Sequence, residues 1–512
     1  MTLLADIVQV ATAYWLPLLG LLLIFHLARN YFRPALMGIP GPFLASLTDF
    51  WRLAHSWQGR GHEDYRLHRK YNSPILRVGP NTVAVADPEA IRVIYGWKPV
   101  FRKTFIYTTQ SQLSPSGELV ENLASIMDEN KHTTLTRPVA SAYAMSTLVE
   151  FEPLVDSTSR AFVRQMEERF IKQGKACPLD RWLQMYAFDV IGEITFSKRI
   201  GFLETGEDVD QMMYHTSRFM DYTGIIGQVP ALDWYFRVKN PILHLLRPTS
   251  NILNFTLKQI REHESSPGGH HRDLLSRFLE ARDKFPDIID EDLLHDYANT
   301  NVAGGSDTTA IILRAMVYEF LIQPEIYAKF LGEIKTVLKA RPDDKDTDAP
   351  ISWAEGLKMT YYQACIKETL RYHPATAQIL PRFVPKGGVQ ICGKFLPEGT
   401  VVGCNAWTVH RDKALYGEDA DIFRPERWLE AIPEHARKME ALLFTFGGGK
   451  RACVGKNIAM LEITKFVPEL FRRIEFELVD PSRYNVSSTW LAVQGGLDVR
   501  MKTRSPSSLL ED

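Results

Sequence analysis

The sequence predicts a mainly α-helical protein with a smaller β region, set behind one N-terminal membrane helix. Three observations carry this. Residues 150–263 are mostly amphipathic at helical spacing. A long helix is outlined over residues 290–323, with Asp290 as its cap and Pro324 just past its end. Strand-like alternation is confined to short stretches such as 75–78 and 82–85. The 512-residue length alone would permit two or three domains. Hydrophobic content of 45% and charged content of 24% are ordinary globular values. A net charge of −1 gives no reason to expect a nucleic-acid partner.

Residues 7–27 are almost uncharged and close to the ~20 residues a bilayer needs. Pro17 and Gly20 are tolerable in a membrane helix. A cleaved signal peptide would carry positive charge ahead of the apolar run and a small-residue cleavage site behind it. Residues 1–6 carry no positive charge and no such site follows. An uncleaved anchor over residues 1–28 is therefore expected. Arg29 and Arg33 on its C-terminal side put the rest of the chain in the cytosol. Residues 29–45 contain Ile39-Pro40-Gly41-Pro42, a stiff non-helical connector. The five cysteines, Cys177, Cys365, Cys392, Cys404 and Cys453, are odd in number and contain no C-x-x-C. That suits neither zinc nor a disulfide framework and fits a reducing compartment.

Further along, 75–78 and 82–85 form a hairpin about Gly79-Pro80-Asn81, and Asp87-Pro88-Glu89 opens a helix. Residues 101–127 are irregular. Residues 201–230 read equally as a mobile roof or as core, the latter through Met212, Met213, Phe219 and Met220. Gly268-Gly269-His270-His271 is a loop with no carboxylate or cysteine spaced to complete a metal site. The middle of the long helix reads Ala303-Gly304-Gly305-Ser306-Asp307-Thr308-Thr309. These poor helix formers cost roughly 2–4 kcal/mol in sum, which predicts a local distortion with a use. Here an acid beside an alcohol can relay protons. Glu368 and Arg371 share a face of another helix and can pair. Residues 389–392 and 400–403 read as paired strands. No internal repeat is visible.

The stretch Phe446-Gly447-Gly448-Gly449-Lys450-Arg451-Ala452-Cys453-Val454-Gly455 demands the most from chemistry. Its glycines let a loop turn sharply, and the helical pattern that follows puts Cys453 at a helix N-terminus. The helix dipole and the adjacent Arg451 would then favour a thiolate. Two other readings compete with a ligand role. A buried cysteine is usually just a small apolar residue. The spacing Gly447-x-Gly449-x-x-Ala452 after a strand-like 442–446 also fits a dinucleotide fingerprint. A phosphate loop is excluded, because Gly455-Lys456-Asn457 lacks the final Ser or Thr.

Phe446, Gly449, Arg451, Cys453 and Gly455 together fill the pattern F-x-x-G-x-R-x-C-x-G. This resembles the haem-binding signature of the cytochrome P450 superfamily. Anchor, hinge, Asp307-Thr308, Glu368-x-x-Arg371, Pro425-Glu426-Arg427-Trp428 and the Cys453 loop follow in that family's order. The resemblance implies the cytochrome P450 fold, with residues 46–512 as a haem-thiolate catalytic domain. It implies haem b bound by Cys453, Phe446 beside the sulfur, Gly449 and Gly455 in the loop, and Arg451 on a propionate. It places Arg382, His132 and Arg137 near propionates too, although Thr133-Thr134-Leu135-Thr136 departs from the family's basic run. Asp307 and Thr308 would deliver protons. Glu368, Arg371 and Arg427 would form a structural triad, with Trp428 where the family usually has Phe. Ala303, Ala375, Thr376, Ala377, Ile379 and Leu491 would line a substrate pocket.

The activity implied is insertion of one oxygen atom from dioxygen into a lipophilic small molecule. No flavin or NADPH motif is present, so electrons would come from a separate NADPH-cytochrome P450 reductase, with cytochrome b5 as an optional second donor. The expected place is the endoplasmic reticulum membrane, single-pass, facing the cytosol, with no obligate oligomer. Asp87-Pro88-Glu89-Ala90-Ile91, Gly393 and Pro397-Glu398-Gly399 look most like the fungal pisatin-demethylase-like group. Secondary-metabolite biosynthesis is the leading role. Detoxification of a plant defence compound is the alternative, and a reductase-independent isomerase or dehydratase is a further one. Asp307-Thr308 argues against the last.

Overall fold

A computed structural model describes residues 2–113, 119–240, 251–265, 273–341 and 348–505. The loop Gly268-Gly269-His270-His271 lies outside the described residues. The elements that matter below are, in chain order, helices α1 (Thr2–Tyr31), α2 (Phe43–Leu47), α3 (Phe50–Trp57), α4 (Glu129–Thr136), α5 (Glu152–Met166), α6 (Leu179–Phe196), α7 (Met212–Ile226), α8 (Glu291–Ile322), α9 (Thr360–Tyr372) and α10 (Lys456–Arg473). The strands are β1 (Ile75–Gly79), β2 (Thr82–Val85), β3 (Arg382–Phe383), β4 (Val389–Ile391), β5 (Lys394–Leu396), β6 (Val401–Cys404), β7 (Ile474–Leu478), β8 (Asn485–Ser488), β9 (Ala492–Gly495) and β10 (Asp498–Thr503).

The core is helical. α8 packs most extensively on α6, and α5 and α10 close the bundle. Tyr186 of α6 stacks on Phe466 of α10 with ring centres 3.7 Å apart, and Phe162 of α5 meets Phe466 edge-on at 5.2 Å. α8 begins as its sequence directs: the Asp290 side chain accepts a hydrogen bond from the Leu293 amide. It ends at Gln323, where Pro324 starts the next helix.

The β region is small and peripheral. One sheet runs β1-β2-β6-β3. β1 and β2 form the expected hairpin, and β6 joins β2 in parallel. This corrects the expected pairing of 389–392 with 400–403. β4 instead pairs β5 through the left-handed residues Cys392 (φ +48°) and Gly393 (φ +72°). A two-residue turn of that hand matches strand twist, so the local hairpin forms and frees β6 for β2.

The proline-rich segment is fixed to this sheet. The Arg77 amide donates to Pro40 O at 2.8 Å, and a Cβ on Gly41 would lie 2.2 Å from Arg77 O. The buried Arg77 guanidinium donates to Tyr31 O at 3.0 Å and also to Asn30 O, placing a cation at the C-terminus of α1.

The stretch expected to span a membrane lies in α1. Among the described residues, no helix is long and apolar enough to cross a membrane. Side chains of α1 are described from Tyr14 onward, and the apolar run from there to Leu27 falls short of the ~20 residues a bilayer core needs. In α7, Met212 and Met213 are buried in the main core, as the core reading expects, while Phe219 is exposed.

Candidate active site

Residues 442–446, expected as a strand, are irregular. Their polar groups find other partners. The Phe444 amide donates to His410 Nε2 at 2.8 Å, and Thr445 Oγ1 donates to Leu370 O at 2.5 Å. Without a strand ahead of the glycines, and with α10 leading into the antiparallel β7–β10 pair, no βαβ unit exists here. The dinucleotide reading falls with it.

The Cys453 loop closes when the Cys453 amide donates to Phe446 O at 2.8 Å. Phe446 itself packs against the main core. Gly449 has φ +58°, and a Cβ there would come within 2.0 Å of Tyr95 O. Gly449→Ala therefore combines left-handed strain with a backbone clash. The expected loss is at least about 2 kcal/mol, read as a lower urea midpoint; an unchanged midpoint would remove the close approach as the reason for glycine.

Cys453 is exposed, whereas Cys177, Cys365 and Cys404 are buried and Cys392 is half-buried. Its surroundings crowd the sulfur enough for burial to push the thiol up. The amides of Gly455 and Lys456 and the Lys456 charge oppose that rise. The cation that favours thiolate is thus Lys456. Arg451, expected in that role, is drawn away by Glu129, whose carboxylate accepts from Nε at 3.0 and 3.2 Å.

α8 presents the second feature. Most of its residues from Asp296 to Phe320 are buried, yet Ala303, Gly304, Gly305 and Thr308 are not fully covered. No atom lies within 4 Å of a Cβ built on Gly304, while one on Gly305 would come 2.9 Å from Ile191 Cγ1. Gly304 keeps space open and Gly305 lets α6 approach. Thr308 Oγ1 donates to Gly304 O at 2.7 Å. The expected distortion is not present: the helix is unbroken, because packing on α6 offsets the weak propensities. Asp307 is buried on the α6 side and accepts from Gln184 Nε2 at 2.6 Å. Burial raises its carboxyl to about 6, with Gln184 and then Arg314 pulling the other way.

Beside this strip lies an apolar cluster of Ile106, Tyr107, Ile311, Ala375, Trp490 and Leu491, edged by Met220 and Leu380. Thr376 bridges Leu491, and the Ala492 amide donates to Ala375 O at 2.8 Å, so the two pocket segments are tied together. Two expected lining residues are elsewhere. Ala377 packs with Trp407 and Ala492, and Ile379 packs with Leu76, Val78 and Ala84. Strict alternation would keep these two on the side of Ala375; bends at Ala375 and Gln378 break it and turn them away. Ile106, Tyr107 and Ile311 were not singled out for the pocket, since only tertiary packing gathers them.

Glu368 and Arg371 of α9 are both fully buried and form a bidentate pair at 2.7 and 2.9 Å. Arg427 Nε donates to Glu368 Oε1 at 3.1 Å, the Arg424 amide donates to the same oxygen at 2.8 Å, and Trp428 Nε1 donates to Oε2 at 2.9 Å. Trp in place of Phe therefore adds a donor. Arg371 in turn donates to His410 O at 2.8 Å and Ala420 O at 2.7 Å. His410, which sequence reasoning missed, completes the link to the loop: its ring accepts from Phe444 and, through Nδ1, donates to Arg371 O at 3.0 Å. Burial, then Arg371, holds it near 3, so it stays neutral with one tautomer fixed.

A family model for cytochrome P450 matches residues 40–494. The chain is 41% identical over 489 residues to a cytochrome P450 monooxygenase of Aspergillus terreus, covering 93% of this chain and 97% of that one. It is 39% identical over 482 residues to the cytochrome P450 monooxygenase cicH of Emericella nidulans, covering 92% and 95%. It is also 37% identical to the cytochrome P450 monooxygenase mpaDE of Penicillium brevicompactum, covering 93% of this chain and 56% of that longer one. The chain belongs to the cytochrome P450 family.

Cytochromes P450 are haem-thiolate monooxygenases that use a redox partner and a small-molecule substrate. The residues of this P450 fit such a group. Among the described residues, Lys103, Arg382 and Arg451 converge with a single carboxylate, Glu129, leaving a surplus of positive charge for an anionic ligand. Arg382 Nη1 donates to Tyr107 Oη at 2.6 Å, and its guanidinium lies 5.2 Å from the Tyr95 and Tyr107 ring centres. Arg451 Nη1 is buried without a partner among the described residues, a cost of about 1–3 kcal/mol unless something accepts from it. Of these groups, Tyr95, Glu129, Arg382 and Arg451 border an open cleft. Burial, then Arg451 and Lys103, depresses His132 to about 4, which places that ring beside the cluster. Arg137 is exposed at the start of a 3-10 turn and makes no ion pair with this cluster. Lys103 was not among the expected residues; a buried lysine in an irregular stretch gives no sequence signal.

Proposed function

We propose that this P450 inserts one oxygen atom from dioxygen into a lipophilic small molecule, in fungal secondary-metabolite biosynthesis. The observation that carries this reading is the open strip Ala303-Gly304-Thr308 on an otherwise buried helix, one turn from Ile311 in the apolar cluster. Haem b, when bound, supplies dioxygen activation. Cys453 would hold it through the thiolate, with Phe446, Gly449 and Gly455 shaping the loop. Arg451, Arg382 and His132 would take its propionates, and Arg137 would join them only by a side-chain movement. The apolar cluster excludes water and orients the substrate. Asp307 holds a proton, and Thr308 passes it through water into the space beside Gly304.

Residues 1–28 would act as an anchor in the endoplasmic reticulum membrane, residues 29–45 as a hinge, and 46–512 as the cytosolic catalytic domain. Exposed Trp15, Leu19 and Phe25 on α1, Phe43 and Leu44 on α2, and Trp57 on α3 support a membrane-facing side. An NADPH-cytochrome P450 reductase would supply electrons, with cytochrome b5 assisting. A demethylase or hydroxylase acting on a plant defence compound is the second reading, favoured by the pisatin-demethylase-like wording at Asp87-Pro88-Glu89-Ala90-Ile91.

The test is incubation of the membrane-reconstituted holoenzyme with reductase, NADPH, isotopically labelled dioxygen and a lipophilic metabolite panel. One labelled oxygen per product is expected. Product formed without NADPH or label would replace monooxygenation by isomerisation or dehydration. Thr308→Ala should lower product at least about 10-fold while hydrogen peroxide rises, since dioxygen given two electrons and two protons without O–O cleavage leaves as peroxide. Unchanged product yield would take Thr308 out of the proton route.

A further inference from the structure

Asp307 and Thr308 are neighbours in sequence but point about 100° apart around α8. Thr308 lies on the open strip, whereas Asp307 faces α6. What holds it there is a side-chain amide. Glutamine can present either an acceptor or donors, and here the choice is forced. The buried Arg314 of α8 has donors only, and its Nη2 donates to Gln184 Oε1 at 2.8 Å. Arg314 is itself fixed by donating through Nε to Asp180 O at 2.8 Å. Gln184 must therefore turn Nε2 to Asp307, which accepts on Oδ1. Asp307 keeps 6% of its surface accessible, and Oδ2 has no protein partner among the described residues.

We propose that Gln184, held in one orientation by Arg314, is the positioning residue of Asp307: it anchors one carboxyl oxygen on the α6 side and leaves the other to meet water on the way to Thr308. This rests on the proton-delivery role proposed above for Asp307. The groups that bear on the carboxyl are few. Gln184 comes from α6, Arg314 from its own helix, and Asp208 from the loop before α7; the last opposes ionisation. A donor to the charged form favours that form, so Gln184 keeps Asp307 more acidic than its burial alone would allow.

The test uses the full-length holoenzyme with its reductase. Infrared difference titration follows the carboxyl band that Asp307→Asn removes, and NADPH-driven dioxygen consumption is profiled against pH. Wild type should titrate near the value of about 6 set by this environment. In Gln184→Leu the midpoint should rise by about one pH unit. The limb of the activity profile that needs a protonated donor should move to higher pH with it. Should Gln184→Leu fail to fold, Gln184→Glu, of equal size, is measured instead; a carboxylate facing Asp307 should move both readouts further the same way. A lower melting temperature with an unmoved midpoint would reduce Gln184 to a structural contact and overturn the proposal. A band that titrates but ignores position 184 overturns it while leaving the Asp307 role intact. An activity profile untouched by Asp307→Asn removes the proton route itself, and the positioning role with it.

Discussion

Glu368→Ala is expected to abolish accumulation of folded, haem-loaded protein. The substitution leaves Arg371 and Arg427, both buried, without their shared carboxylate. Breaking a buried pair this way costs ~3–5 kcal/mol, and here Trp428 Nε1 and the Arg424 amide lose their acceptor as well. Set against a typical total stability of ~5–15 kcal/mol, the loss is large. It also travels: Arg371 holds His410 O, and His410 holds the Phe444 amide at the head of the cysteine loop. The measurement is haem absorbance per protein together with a urea unfolding curve. Glu440→Ala, which breaks the exposed Lys367–Glu440 pair, is the control and should shift stability by only ~0–1 kcal/mol. A Glu368→Ala curve no different from that control would remove the network as the lock on the loop. The pH dependence has a definite sign. Arg371 and Arg427 hold Glu368 below the usual carboxylate range despite its burial. Its contribution is therefore complete above about pH 4.3 and is lost only as pH falls through the depressed value.

Cys453→Ser is expected to produce the opposite pattern: intact fold, lost chemistry. The Cys453 side chain is exposed, so the exchange of sulfur for oxygen should change apoprotein stability by less than about 0.5 kcal/mol. A serine hydroxyl cannot supply the thiolate that donates electron density to haem iron. The dithionite-reduced, carbon monoxide-treated wild type should show a strongly red-shifted Soret band, and the variant should lack it along with all oxygenation. The same band in the variant would move the ligand to another residue and unseat Cys453 from the centre of this account. Loss of both band and fold would show that the sulfur supports the loop rather than the cofactor.

The legible part of this protein was the part whose chemistry is local in sequence. The capping Asp290 and the stopping Pro324 delimited α8 to within a residue, because caps act on amides two or three positions away. The turn of the cysteine loop was legible for the same reason, since the Cys453 amide closes on Phe446 O within the loop, whereas Arg451 and Gly449 answer to the distant Glu129 and Tyr95. Local pattern failed where partners are distant. β6 was paired with the wrong strand because β2, over 300 residues earlier, competes for it, and residues 442–446 looked like a strand although their amides are taken by His410 and their own turns.

By itself, the sequence determined the helical class, the limits of the long helix and the Glu368–Arg371 pairing. Tertiary structure alone decided which cation sits by the Cys453 sulfur, which side chains wall the apolar room, and that Asp307 faces Gln184 rather than Thr308's open strip. The reason is the range of the forces. Hydrogen-bond caps and helical periodicity act over a few residues, so they are written where they act. Burial and charge act across space, and their outcome depends on which distant segments the fold brings within a few ångströms.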